Sequence, residues 1–160
     1  MKIAVGLGSP RPCELAEKVT RFLESEGHAV TRFGTLAGKP SDYIDAASEL
    51  GEAVKNHEVE QGVLFCNTGT GVTIIANKIP GVRAALCLDS FSANVARQAN
   101  NANVLVLSIR MTKEELAMEI LDEWLRSDPK LAPDKWKQFH VRTETIETSY
   151  RAAGGNAHEQ

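Results

Sequence analysis

The sequence is short of the features that mark several common roles. Its three cysteines, Cys13, Cys66 and Cys87, are an odd number without a CxxC pair, and no histidine stands at ligand spacing. A disulfide framework and a zinc site therefore lack support, and reduced thiols in a cytoplasmic protein are the expectation. No apolar run approaches the roughly 20 residues of a membrane span. The opening MKIAVGLGS has one lysine and too short an apolar stretch for a secretory signal, and it reads as a first strand. A net charge of −3 gives the surface no general pull towards nucleic acid. Internal repeats and low-complexity segments are absent. The first strand ends GLGSPRP, which lacks the third glycine of a dinucleotide fingerprint, and no Walker lysine follows any glycine loop. Histidine occurs only at 28, 57, 140 and 158, none near the end of an expected strand, which argues against a Cys–His hydrolase.

What is present suits one globular domain. The chain has 160 residues, 42% of them hydrophobic and 24% charged, enough for a substantial core. Apolar runs at 2–8, 29–35, 63–66, 82–88 and 104–109 read as five strands, the later ones nearly continuous as buried parallel strands are. Helical periodicity fits between them, over a stretch opening at Ser9 or Pro10–Pro12, then 43–56, 72–78 and 90–100. Thr112-Lys113-Glu114-Glu115 is a capping-box pattern before a further helix, which buries Leu116, Ile120, Leu121 and Trp124. A last helix begins at Asp134. Strands alternating with helices predict an α/β protein, a three-layer α/β/α Rossmann-like domain with a five-stranded parallel sheet and a C-terminal helix. The domain is expected to span 1–152, with a disordered tail at 153–160.

The stretch Gln61–Lys78 (QGVLFCNTGTGVTIIANK) organises the rest. A buried strand ends in Cys66, the small and polar residues Asn67 to Gly71 cannot prolong it, and a helix follows. Such a loop points backbone N–H groups, and the positive end of a helix, at whatever lies above the strand. A thiol there can act as a general base on a carbon-bound proton while the N–H groups hold the oxyanion produced. Free cysteine is also among the residues most often simply buried, so the residues alone leave both readings of Cys66 open. Cys13 and Cys87 read as core or helix-surface residues. Arg83 reads as a structural or interface contact and Arg97 as a solvated or dimer-facing charge.

The segment CNTGTGVTIIANKIPGVRAALCLDSFSANVARQANNANVLVLSIR resembles the core of the ribose-5-phosphate isomerase B / galactose-6-phosphate isomerase family. Asp42-Tyr43, the CxTGxG loop, ANKxxGxRA and Asn100 before NxNVL match in order and spacing, and the resemblance covers roughly residues 1–150. It implies the Rossmann-like fold, no cofactor and no metal, and aldose–ketose isomerisation of sugar phosphates. It also implies a homodimer, or a dimer of dimers, with active sites shared between subunits. On this resemblance Cys66 moves the proton between C1 and C2, and Thr68 assists. Asn67, Gly69, Thr70 and Gly71 form the anion-holding loop, Ser9, Tyr43 and Asn100 fall at sugar-contact positions, and Arg110 and Arg142 fall where phosphate-binding arginines stand. Asp42 and Tyr43 equally suit the capping of the second helix, and Arg142 a solvated helix face.

The departures are specific. The family's first strand usually ends in Asp-His, here Gly8-Ser9; its ring-opening histidine is Ala99; and a second arginine, one helical turn before Arg142, is Gln138. Lys135 or Lys137 lies nearby, but a lysine does not reproduce an arginine fork. A four-carbon sugar phosphorylated at C4 has no free hydroxyl that closes a five-membered ring, so it needs no ring opener. The pattern points to an isomerase of a small sugar phosphate, with a four-carbon one as the candidate substrate. The alternative is a non-catalytic sugar-phosphate-binding homologue, or one subunit of a hetero-oligomeric isomerase.

Overall fold

The computed structural model describes residues 1–155. In chain order these form β1 (Lys2–Gly8), α1 (Glu14–Ser25), β2 (Ala29–Gly34), α2 (Tyr43–Lys55), β3 (Gln61–Cys66), α3 (Thr70–Ala76), β4 (Ala84–Leu86), α4 (Ser90–Gln98), β5 (Val104–Ser108), α5 (Glu114–Arg126) and α6 (Asp134–Gly155). Short 3₁₀ turns occupy Thr35–Ala37 and Pro129–Leu131. The last helix thus runs to Gly155, and residues 156–160 of the expected tail lie outside the described residues.

The five strands are all parallel, in the order β2-β1-β3-β5-β4. Every residue of β3 and β5 is buried, which explains the apolar runs Val63–Cys66 and Val104–Leu107 within them. Alternate side chains feed two cores. Ile3, Val5, Leu7, Val63, Phe65, Leu105 and Leu107 pack under α1, α4 and α5, with Trp124 the largest buried side chain there. Ala4, Leu64, Val104 and Val106 pack under α2 and α3 against Leu50, Val54, Val72 and Ala76. This is the α/β/α sandwich that the alternation of strands and helices predicts. No helix among the described residues is long and apolar enough to cross a membrane.

From β1 the chain turns outward to β2, whereas from β3 it crosses to the far side of the sheet. The C-terminal ends of β1 and β3 therefore flank a topological switch point, where such sheets open a crevice.

Four local expectations are corrected. The first helix starts at Glu14, with Cys13 as its N-cap, so Ser9–Pro12 remains loop. The strand expected over 82–88 narrows to Ala84–Leu86, because Arg83 is held by Asn103 Oδ1, accepting from its backbone N–H, and by the carbonyls of Asn101 and Gly81. The Thr112 capping box does not form. Lys113 is the N-cap without a side-chain bond, and Thr112 is buried. Asp89 and Ser92 form a capping box on α4 instead. Finally, Arg97 is buried, its guanidinium 5.2 Å from the Trp124 ring centre and donating to the Ala102 carbonyl. Burial pulls its pKa below the ordinary arginine value.

Candidate active site

At the switch point, Gly8 and Cys66 are register partners, and Cys66 pairs with Ser108 on its other side. A cleft of about 740 Å³ opens above them, within the range of small-molecule sites. Cys66 lines it, and so do Ser9, Tyr43 and Asn67.

The loop after β3 is tied down through its carbonyls. Cys66 O accepts from Ile109 N–H at 2.9 Å, and Asn67 O accepts from Arg110 N–H at 3.1 Å and Ser108 Oγ at 2.8 Å. The loop's donors are left over. Among the described residues, the backbone N–H groups of Asn67, Thr68, Gly69, Thr70, Gly71 and Val72 find no protein acceptor. Helix geometry accounts for those at the start of α3, whose first N–H groups have no carbonyl a turn earlier. The helix is only seven residues long, so the individual N–H groups, rather than a long macrodipole, supply the positive potential. The Thr68 and Thr70 hydroxyls sit 2.9 Å apart in one hydrogen bond.

Two glycines fix the loop's path. Gly69 has φ 81°, in the left-handed region, and a Cβ there would stand 2.6 Å from Leu86 Cδ1. A Cβ on Gly71 would meet the Tyr43 ring at 2.9 Å, so that ring packs directly on the loop. Tyr43 is presented by the first residue of α2, which Asp42 caps by accepting from the Ile44 and Asp45 N–H groups at 2.8 and 3.0 Å. Asp42 is thus a cap, while Tyr43 also faces the cleft. Gly8 has no room for a side chain: a Cβ would lie 2.9 Å from both Tyr43 Cα and Val72 Cγ1.

The other expected residues divide by sheet edge. Arg110 follows β5, with its backbone on the Cys66 side. Asn100 precedes β5 and so lies at the opposite, N-terminal edge, as does Ala99 at the end of α4. Arg142 belongs to α6, which is attached at that same far edge: His140 Nε2 donates to the Gln98 carbonyl, and Glu147 Oε1 accepts from Gly81 N–H. A strand rises about 3.3 Å per residue, so the length of β3 and β5 separates these residues from Cys66 within one chain. Phe139, Val141, Ile146 and Tyr150 on α6 are 47–77% exposed.

The cleft also contains residues that the sequence did not mark as site residues: Arg11, Pro12, Cys13, Glu14 and Ile109. Their place depends on where α1 begins, and the sequence pattern expects Ser9 or Pro10–Pro12 to open it. Cys87 belongs to the α1/α4/α5 core, where burial pushes its thiol up to about 12. Among the described residues no cluster of three His, Cys, Asp or Glu side chains could hold a metal ion.

Comparison with known proteins finds a family model, described as Ribose/Galactose Isomerase, matching residues 5–139. A D-erythrulose-4-phosphate isomerase from Pectobacterium atrosepticum is 39% identical over 129 residues, covering 80% of this chain and 84% of that one. Ribose-5-phosphate isomerase B from Escherichia coli is 40% identical over 111 residues, 69% of this chain and 74% of its own. The solved structure of Clostridium thermocellum ribose-5-phosphate isomerase B superposes with a TM-score of 0.85 at 35% identity, covering 94% of this chain and 99% of that one.

Proposed function

The chain belongs to the ribose/galactose isomerase family, and from that premise we propose that it interconverts the aldose and ketose forms of a small sugar phosphate, with Cys66 as the base. The observation that carries this is the meeting of a cleft-lining thiol with six neighbouring main-chain N–H groups that lack a protein acceptor. The Cys66 thiolate takes the proton from the carbon beside the carbonyl. The carbonyl oxygen becomes the enediolate oxygen and accepts from the loop N–H groups. Cys66 then returns the proton to the neighbouring carbon. The Thr68–Thr70 hydroxyl pair carries the second proton from one sugar oxygen to the other, so atoms and charge balance without an external reactant. The reaction is metal-independent on this account, and turnover unchanged by a chelator is the check.

The substrate we favour has four carbons. Gly8, Ser9 and Ala99 offer no strong acid or base for opening a ring, and a C4-phosphorylated tetrulose has no ring to open. The similarity to a protein named D-erythrulose-4-phosphate isomerase supports the same choice. The site also draws on two copies of the chain. Asn100 and Arg142 lie at the sheet edge away from Cys66 and reach a Cys66 loop only on a neighbour, and the exposed apolar residues of α6 suit that contact. The same placement favours, as a second reading, a hetero-oligomeric isomerase in which a different partner supplies those groups.

Isomerisation assays on four-, five- and six-carbon sugar phosphates, run in deuterated water, test the proposal. Solvent deuterium enters the sugar with the wild type and is lost with Cys66→Ala. Turnover that survives Cys66→Ala rejects the base, and ribose 5-phosphate consumed far faster than erythrulose 4-phosphate rejects the chain length.

A further inference from the structure

Of the residues lining the Cys66 cleft, two carry charge, Arg11 and Glu14. Glu14 is already engaged: its carboxylate pairs with Lys18 at 3.1 Å, one turn along α1. Arg11 forms no ion pair among the described residues. The cleft therefore has one uncompensated positive charge, on a side chain with fork geometry suited to a tetrahedral oxyanion.

The backbone beneath Arg11 is braced. Pro10 and Pro12 fix φ on both sides of it. The Arg11 N–H donates to Ser9 Oγ at 3.3 Å, and the Ser9 carbonyl accepts from the Thr35 hydroxyl. Thr35 Oγ1 in turn accepts from Ser41 N–H at 3.0 Å, at the approach to α2 and Tyr43. Only the Arg11 side chain itself remains to be ordered when an anion arrives, which lowers the entropic cost of holding one.

We propose that Arg11 binds the phosphate end of the substrate, a contact made within the same chain as Cys66, and so selects phosphorylated over unphosphorylated sugars. The proposal rests on the isomerase reading for the identity of the anion, but its test does not. Arg11→Gln raises KM for erythrulose 4-phosphate by about ten- to a hundredfold, the range for losing a charged hydrogen-bond partner. The kcat/KM for unphosphorylated erythrulose is unchanged, and Arg11→Lys, which keeps the charge and loses the fork, falls between. Binding of inorganic phosphate, followed by calorimetry, weakens in parallel. Arg21→Gln, an equal loss of charge on the exposed face of α1, leaves both readouts at wild-type values.

The proposal is overturned if a folded Arg11→Gln protein, with unaltered circular dichroism and melting, keeps its phosphate affinity and KM. It is overturned equally if Arg21→Gln causes the same loss, or if the wild type shows no phosphate binding that depends on Arg11. Should no sugar phosphate be turned over, the isomerase reading fails and the phosphate titration alone decides the role of Arg11.

Discussion

An aspartate at Gly8, the residue that the family resemblance leads one to expect there, should damage this protein. A Cβ on Gly8 would stand 2.9 Å from Tyr43 Cα, a main-chain atom, and 2.9 Å from Val72 Cγ1. Neither contact is relieved by rotating a flexible side-chain tip, because one is backbone and the other is a buried β-branched valine. Gly8→Ala alone then costs about 1–3 kcal/mol of overpacking. Gly8→Asp adds a carboxylate at a buried position, a further 1–3 kcal/mol or so when it finds no partner. For a chain of this size each kcal/mol moves the melting temperature by about 2–4 °C, so Gly8→Asp should melt about 4–24 °C below wild type. Activity falls as well, since the displaced groups carry Tyr43 and the start of α3, which border the thiol. Thermal unfolding by circular dichroism, with isomerase assays on erythrulose 4-phosphate and ribose 5-phosphate, measures both effects. A Gly8→Asp protein that melts with the wild type and gains turnover on ribose 5-phosphate would refute the packing explanation of Gly8.

Three further outcomes are expected. Mixing inactive Cys66→Ala and Arg142→Ala proteins after reversible dissociation should restore about a quarter of wild-type activity, since half the dimers are mixed and each has one of its two sites intact; no recovery argues against shared sites. At pH 8 a small alkylating agent should modify Cys66, which is 8% exposed in the cleft wall, and spare Cys87, which is 1% exposed, away from the cleft, with its thiol pushed up to about 12; peptide mapping by mass spectrometry with equal labelling of both would contradict this. The Asp89 carboxyl is held below its usual range, chiefly by the Ser92 N–H. A depressed pKa stabilises the fold at neutral pH, and that contribution disappears as pH falls through the carboxylate range below about 4. Wild-type melting should therefore decline on acidification more steeply than that of Asp89→Asn, and parallel curves would show that the cap is not the cause.

Much of the fold was legible because burial on both faces leaves a plain trace. The runs VLFC at 63–66 and VLVL at 104–107 are apolar at every position, as strands covered on both faces are. Side chains whose partners are distant in sequence were not legible. Arg97 looks solvated on its own helix, yet it stacks on Trp124, 27 residues later in the chain. The Asp89–Ser92 box escaped notice because serine, rather than glutamate or glutamine, closes it. In the candidate site, Cys66 and its glycine loop were evident from local pattern. Arg11 was not, because its position depends on α1 starting at Glu14, and the separation of Asn100 and Arg142 from Cys66 is a matter of topology.

The free donors beside Cys66 belong to the peptide units of residues 67–72, not to their side chains. Charge stabilisation of that kind is a property of the route the chain takes, and it is guarded by two glycines rather than by any functional group. Mutation around the rim can therefore alter which molecule is admitted without dismantling the means of handling it. A fold that holds its anion-stabilising donors in the main chain would be free to change diet by exchanging a handful of side chains at the rim.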